Sequence, residues 1–366
     1  MGSAVPASAS VGIAASSTCA QADGRVTSIV MDGGVAYLGG NFAKVRNPNG
    51  TWVNRTRLAA VDTSTCAVLA WAPSANAEVS ALHVVGSTVY IGGTFTSVNT
   101  TARNRLAAVD AASGALKSFN PNMNNTVRAI TSLGGRLFVG GEFSAAGGVT
   151  RKKLAAFDLQ GGTLVSAWKP VASGKVTTLT PSPNGGRLYV GGSFTSLAGS
   201  SASPYLGAVS PTDGSLDQAF LPKPGWPLYV VAADSRGVYV GGGGSGGHFG
   251  IWELNGSKRR VYQTDGGVQA VAVDGDSVYA GGHFTNYCIG DTGSGSPFVC
   301  TNPLERRRLF EVSLTTGNLT SWAPKLNSAH GVWATAAEPT THDLWTGGDF
   351  TKVGSSSISR LAVFPE

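Results

Sequence analysis

Charge is scarce in this chain: Asp, Glu, Lys and Arg make up 13% of its 366 residues, about half the usual quarter. Gly, Ser and Thr fill the gap, a composition that suits short strands and tight turns and disfavours long amphipathic helices. No apolar run reaches the ~18 residues that a spanning helix needs, so no membrane span is expected. The basic excess is mild, 27 Lys and Arg against 21 Asp and Glu. Its one dense run, Arg306-Arg307-Arg308, is diluted by Glu305. A nucleic-acid binder would more often show a basic stripe with stacking aromatics, so no nucleic-acid partner is expected. The four cysteines contain no CxxC, which removes the usual zinc and redox spacings. HExxH and EF-hand loops are missing as well.

What is present is a repeat. Tyr90-Ile91-Gly92-Gly93-Thr94-Phe95 returns as Tyr37 to Phe42, Phe138 to Phe143, Tyr189 to Phe194, Tyr279 to Phe284 and Trp345 to Phe350. A seventh, damaged copy, Tyr239-Val240-Gly241-Gly242, lacks the closing Phe. The spacing, roughly 40–65 residues, is that of a solenoid or a propeller. Within the third copy, Arg128 to Leu133 alternates and ends at a Gly134-Gly135 hairpin signal. Arg136 to Phe143, Lys153 to Leu159 and Thr163 to Trp168 supply three further strands. Four antiparallel strands per repeat make a propeller blade. The glycines let crowded inner backbones approach, and the Phe is expected to pack between neighbouring blades.

The expected fold is therefore an all-β, seven-bladed propeller with four-stranded antiparallel blades, or six blades if the fifth copy fails to form one. The last copy runs one strand short at Glu366, and the N-terminus has one strand too many around Ser17 to Gln21. That strand is expected to complete the last blade and close the ring, which removes exposed sheet edges. Residues 1–16 read as a flexible leader, with Met1-Gly2-Ser3 as an added remnant, and 17–366 as one propeller domain. Cys288 and Cys300 bracket a Gly/Ser-rich insertion and are expected to pair locally. That leaves Cys19 with Cys66, although four cysteines permit three pairings. Disulfides point to an exported, extracellular or cell-surface protein. Sequons at Asn49, Asn54, Asn99, Asn124, Asn255 and Asn318 matter only in a glycosylating host.

Ser210-Pro211-Thr212-Asp213-Gly214-Ser215-Leu216-Asp217-Gln218-Ala219-Phe220 resembles the delta-60 repeat family of bacterial β-propellers. Arg105 to Asp110, Gly114-Ala115-Leu116 and Phe119-Asn120-Pro121 carry the same signature, as do Arg57 to Asp62 with Trp71-Ala72-Pro73. The resemblance covers nearly the whole chain after residue 17. It departs at Gly243 to Gly247 and at the Cys288 to Cys300 insertion. It implies an exported, surface-associated propeller, with no settled reaction and no transferable catalytic residues.

Short motif matches carry little. Gly242-x-Gly244-x-x-Gly247 has no following helix pattern, Gly243-x-Ser245-x-Gly247 lacks the strand–turn–helix setting of a nucleophile elbow, and Asp291-Thr292-Gly293 has no second copy. Geometry gives better candidates, because loops entering first strands and leaving second strands share one face of a propeller. After the glycine pairs come Asn41, Thr94, Glu142, Ser193, His283 and Asp349. Entry loops add Arg25, Glu78, Arg128, Lys175, Trp226, Tyr229, Asp265, His330 and Trp333. Long exits add Trp52, Phe249, Trp252, Tyr287 and Phe298.

Trp226, Tyr229 and Trp333, with Arg128 and His330, are the candidate ligand contacts, since rim aromatics offer flat faces to sugar rings or a protein partner. Glu142, His283 and Asp349 are chemically able to hold a divalent metal, and with His330 to do acid–base work. The plainer reading is a ring of polar residues that solvates the channel mouth. Trp71, Trp168 and Trp322 recur at one blade position and read as structural. The preferred function is a non-enzymatic binding module for a glycan or protein. The alternatives are an enzyme at the channel mouth and a structural component of the cell envelope. No cofactor is expected beyond that candidate metal.

Overall fold

The computed structural model describes residues 10–289 and 299–366. Met1 to Ser3, most of the expected leader, Asp291-Thr292-Gly293 and Phe298 lie outside the described residues. No helix occurs among the described residues, and seven sheets built on the glycine-pair strands follow one another along the chain, with three small sheets beside them. Their first strands are Arg25–Asp32, Val79–Val85, Val127–Leu133, Val176–Pro181, Leu228–Asp234, Val268–Asp274 and Val332–Ala337. Each pairs antiparallel with the strand carrying the glycine pair, which pairs in turn with a third strand. Each first strand lies beside the first strand of the next sheet, and Val332–Ala337 lies beside Arg25–Asp32.

Steric crowding explains why the glycine pair recurs. A Cβ on the first glycine would strike the opening strand of the next sheet: at Gly140 it would lie 2.5 Å from Val176 Cγ1, and at Gly347 2.7 Å from Val26 Cγ1. A Cβ on the second would strike its own sheet's first strand; at Gly141 it would lie 2.1 Å from the Thr126 carbonyl oxygen. The aromatic residue that follows is then driven inward. Phe42, Phe95, Phe143, Phe194, Phe284 and Phe350 are all fully buried.

The core is distributed between sheets. One cluster joins Tyr37 and Leu58 of the first sheet to Val79 and Phe95 of the second. The others continue round, and one joins Trp345, Leu361 and Val363 of the seventh sheet to Val26, Leu38 and Phe42 of the first. Each buried Phe contributes about 1.5–3 kcal/mol. The tryptophans read as structural tie the same seams, since Trp71 Nε1 donates to the Asp110 carbonyl at 2.9 Å and Trp168 Nε1 to Ser210 at 3.0 Å.

Three expectations need correction. Outer strands are mostly reduced to single bridges, Val61 to Val68, Val109 to Leu116, Phe157 to Leu164, Val209 to Leu216 and Val312 to Leu319. A turn enters each bridge, and after it the chain turns inward to bury an aromatic residue, so no longer ladder forms. The fifth sheet, the damaged copy, has instead a full fourth strand, Lys258–Thr264, onto which the disulfide hairpin strands Asn286–Cys288 and Pro303–Glu305 add.

The N-terminal contribution also begins earlier than residue 17. Gly12 N donates to the Pro365 carbonyl at 2.6 Å and Ser16 N to Val363 at 2.7 Å, along the outer edge of Leu361–Phe364. Val11, 3% exposed, packs with Phe350 and Phe364, because a small apolar residue there fills the last seam. Of the expected closing strand, Ser17 to Gln21, only Gln21 lies in a strand, Gln21–Ala22, which pairs with Lys44–Arg46 while Ala22 N donates to the Ser359 carbonyl at 3.2 Å. The disulfides are Cys19–Cys66 and Cys288–Cys300, as expected.

The mild basic excess is largely spent on the backbone. Arg57, Arg105, Lys153, Arg308 and Arg360 sit at positive φ before third strands and donate to carbonyls just after the glycine pairs. Arg55, Arg103, Arg151 and Arg306 reach outer-segment carbonyls. The Arg306-Arg307-Arg308 run is thus engaged throughout, Arg307 by Glu305 at 2.7 Å.

Candidate functional site

Every first strand carries the same irregularity. The register with its partner shifts between Val26 and Ser28, Val79 and Ala81, Val127 and Ala129, and Val176 and Thr178. The same shift falls between Leu228 and Val230, Val268 and Ala270, and Val332 and Ala334. A bulge re-aims one side chain out of the ladder. The seven skipped residues are Thr27, Ser80, Arg128, Thr177, Tyr229, Gln269 and Trp333. All seven line one cavity of about 480 Å³, together with Glu78, Lys175, Thr178 and Val230.

Three of the sequence-predicted ligand contacts, Arg128, Tyr229 and Trp333, therefore meet in one place. Arg25 holds its guanidinium 4.6 Å from the Trp333 ring centroid, a cation–π contact that fixes the indole plane. Arg128 Nε pairs with Glu142 Oε1 at 2.5 Å. Ser80 Oγ donates to Glu78 Oε1 at 3.2 Å. Trp226 stays out of this lining and stacks on His248, ring centroids 4.2 Å apart and 16° from parallel. Asp265 is consumed by the Thr285 and Asn286 amides. Phe249 and Trp252 are core residues, while Trp52 is exposed on a small outer sheet. Asn41, Thr94 and Ser193 are exposed.

The candidate acid–base set is only partly assembled. His330 Nδ1 lies 2.9 Å from Asp349 Oδ2, with the imidazole 68% exposed. Asp349 also accepts from Ser328 Oγ, which in turn accepts the Gly331 amide at 2.6 Å. That network fixes the turn into the seventh sheet. His283 Nε2 accepts the Gly267 amide at 3.3 Å, and burial, then the Arg308 charge, lowers its pKa. Glu142 is drawn to Arg128 rather than to the histidines. Among the described residues, no three His, Cys, Asp or Glu side chains gather closely enough to hold a metal ion.

Thr27, Ser80, Thr177, Thr178, Val230 and Gln269 were not among the sequence candidates. Their signal is positional: aligned on the glycine pair, the bulge residue falls at the same offset in five of the seven copies.

One titratable group sits in the first-strand ring below. His83 Nε2 is 2.8 Å from Ser132 Oγ of the next sheet, and burial lowers its pKa from 6.5 to about 4. Unfolded histidine binds a proton near pH 6.5, so this contribution to stability is complete above that pH and is lost as pH falls towards about 4. The expected loss is up to about 3 kcal/mol. Urea melts at neutral pH and near pH 4.5 should show a smaller acid destabilisation in His83→Gln; equal losses in both proteins would refute it.

No family model and no curated protein matches the chain. Solved structures do resemble it. The WD40 β-propeller domain of Doa1 superposes with TM-score 0.61 at 11% identity, covering 95% of this chain and 96% of that one. The computationally designed Ika8 protein gives TM-score 0.54 at 12% identity, covering 94% and 98%. At these identities the likeness concerns fold alone, and the fold is a β-propeller.

Proposed function

We propose that this chain is a seven-bladed, exported propeller of the delta-60 repeat kind that binds the end of a glycan in its channel mouth. The observation that carries the reading is the set of seven bulge residues that line one polar cavity, with Trp333 and Tyr229 among them. A cavity of about 480 Å³ lies in the range of small-molecule sites and takes a sugar or two rather than a protein surface. Sugar hydroxyls match Ser, Thr, Gln and Glu side chains, and sugar ring faces match indole and phenol. The ring of inter-sheet clusters, completed between the seventh and first sheets, supports seven blades and closure. Two disulfides suit an oxidising compartment. Engagement of the arginines by backbone carbonyls argues against nucleic acid.

A protein partner is the second reading, supported by exposed Ile289, Val299 and Leu304 beside the Cys288–Cys300 bridge. The enzymatic alternative rests on the His330–Asp349 pair alone.

A glycan array is the test. Trp333→Ala should abolish binding to the array, a loss of at least about 10-fold given the ~1–3 kcal/mol that such a ring contact carries. An array on which wild type binds nothing, or binding indifferent to Trp333→Ala, would overturn the channel-mouth reading.

A further inference from the structure

The cavity is chemically two-sided. Sheets five and seven supply Tyr229 and Trp333, with Gln269 of the sixth sheet between them. Across the ring, sheets two to four supply Glu78, Ser80, Arg128, Lys175, Thr177 and Thr178. A ligand that fills the space meets aromatic faces on one side and charge on the other.

The charges are not equally committed. Arg128 is neutralised by Glu142 at 2.5 Å, and Arg25 is laid over Trp333. Glu78 takes one hydroxyl, from Ser80. Lys175 is half-buried and lines the cavity, and its ammonium meets no hydrogen-bond or ion-pair partner among the described residues. Every other carboxylate of the site is two sheets away or already paired. Among the lining residues, Arg128 and Lys175 against Glu78 leave one positive charge in excess. A half-buried ammonium that lacks a protein partner is free to take an anion brought by a ligand.

We infer that the channel mouth selects an acidic saccharide, with a hexuronate ring on Trp333 and Tyr229 and its carboxylate on Lys175. This rests on the glycan reading above. It adds the substrate class. Glu78, an acceptor with no ion-pair partner among the described residues, takes ring hydroxyls as it already takes that of Ser80. Thr177, whose own proton goes to the Leu228 carbonyl at 2.7 Å, is left to accept, and Thr178, which accepts the Val231 amide at 3.2 Å, is left to donate. Lys175 is then the specificity-determining residue and Trp333 the affinity-determining one. A charge-assisted hydrogen bond corresponds to roughly a 10- to 100-fold preference for the acid over the matched neutral sugar.

The test uses calorimetric titration of the full chain with matched oligosaccharides in the gluco, galacto and manno series. Each series is offered in neutral form and with the C6 carbons oxidised to carboxylates. The expected result is at least one series in which the acidic member binds 10-fold or more tightly. Lys175→Gln should erase that preference, and Lys175→Arg should retain it. Matching thermal melts would show that the variants fold. Equal binding of acidic and neutral members, with both lost in Trp333→Ala, would overturn the acid preference and leave the glycan site standing. A preference that survives Lys175→Gln would overturn the role of that residue. Binding of no member at all would overturn both readings together.

Discussion

Gly141→Ala is expected to cost on the order of 4–5 kcal/mol and to lower the melting temperature by about 5–7 °C. The added Cβ would lie 2.1 Å from the carbonyl oxygen of Thr126, the residue that leads directly into Val127–Leu133, whose bulge carries Arg128. Backbone on both sides leaves no rotamer to relieve the clash. The neighbouring glycine behaves differently. A Cβ on Gly140 would meet the Val176 side chain, 2.5 Å away, so Val176→Ala should recover part of the loss in Gly140→Ala. No side-chain truncation should recover Gly141→Ala. Gly134→Ala is the control. That residue has φ +56, close to Gly33 at +54 and Gly86 at +53, with no atom within 4 Å of an added Cβ, and the cost should be only the roughly 1–2 kcal/mol of left-handed backbone. The checking measurement is a set of calorimetric melts with a double-mutant cycle at Gly140 and Val176. A mild Gly141→Ala, or one rescued by side-chain truncation, would refute the assignment of separate duties to the two glycines.

The propeller was readable from the chain because this same crowding acts in every repeat. Glycine is the only residue that fits where first strands of successive sheets converge, so the pair survives even in the damaged fifth copy, and the alternation around it gives the strands. Features set by single contacts left a weaker trace. The segment after each third strand reads as a full fourth strand, but in most copies a turn such as Asp62 to Ala67 delivers one bridge before Trp71 or its counterpart pulls the chain inward. Nothing in the residue types of Arg55-Thr56-Arg57 marks the two arginines as backbone donors. Their role as carbonyl donors depends on a positive φ at Arg57 that L-residues rarely adopt.

The site was partly readable for a related reason. Arg128, Tyr229 and Trp333 stood out because charged and aromatic residues at the start of a strand are conspicuous. Thr27, Ser80, Thr177 and Gln269 occupy equivalent bulges but are ordinary strand residues by type. Only the register shift shows that they leave the ladder and face the channel. Conversely, Trp226 and Asp265 are conspicuous residues that local partners absorb, a stacked His248 and two backbone amides. Residue type marked where chemistry was available. Backbone geometry decided which side chains share a space.

Removing residues 1–16 while keeping Cys19–Cys66 should lower stability by roughly 5.5–7 kcal/mol. That sum takes about 1.5–3 kcal/mol for the buried valine and about 1 kcal/mol for each hydrogen bond lost. Val11 leaves a seam in which it is 3% exposed. The Gly12 and Ser16 amides release the Pro365 and Val363 carbonyls. Trp322 Nε1 loses the Gly12 carbonyl at 3.1 Å and stays in a buried ring without an acceptor. Ser10 Oγ leaves Glu311, a carboxylate only 1% exposed that then relies on Ser277 and Thr320. Because the segment lies on the outer edge of Leu361–Phe364, its loss also bares a strand edge, and edges of this kind template aggregation. Two readouts should move together: the calorimetric melt falls by about 10 °C, and amide exchange accelerates in Leu361–Phe364 while the third sheet, across the ring, keeps its protection. A truncated chain with an unchanged melt would show that residues 10–16 merely rest on the surface. A lower melt with uniform exchange would place the loss elsewhere than at the seventh sheet.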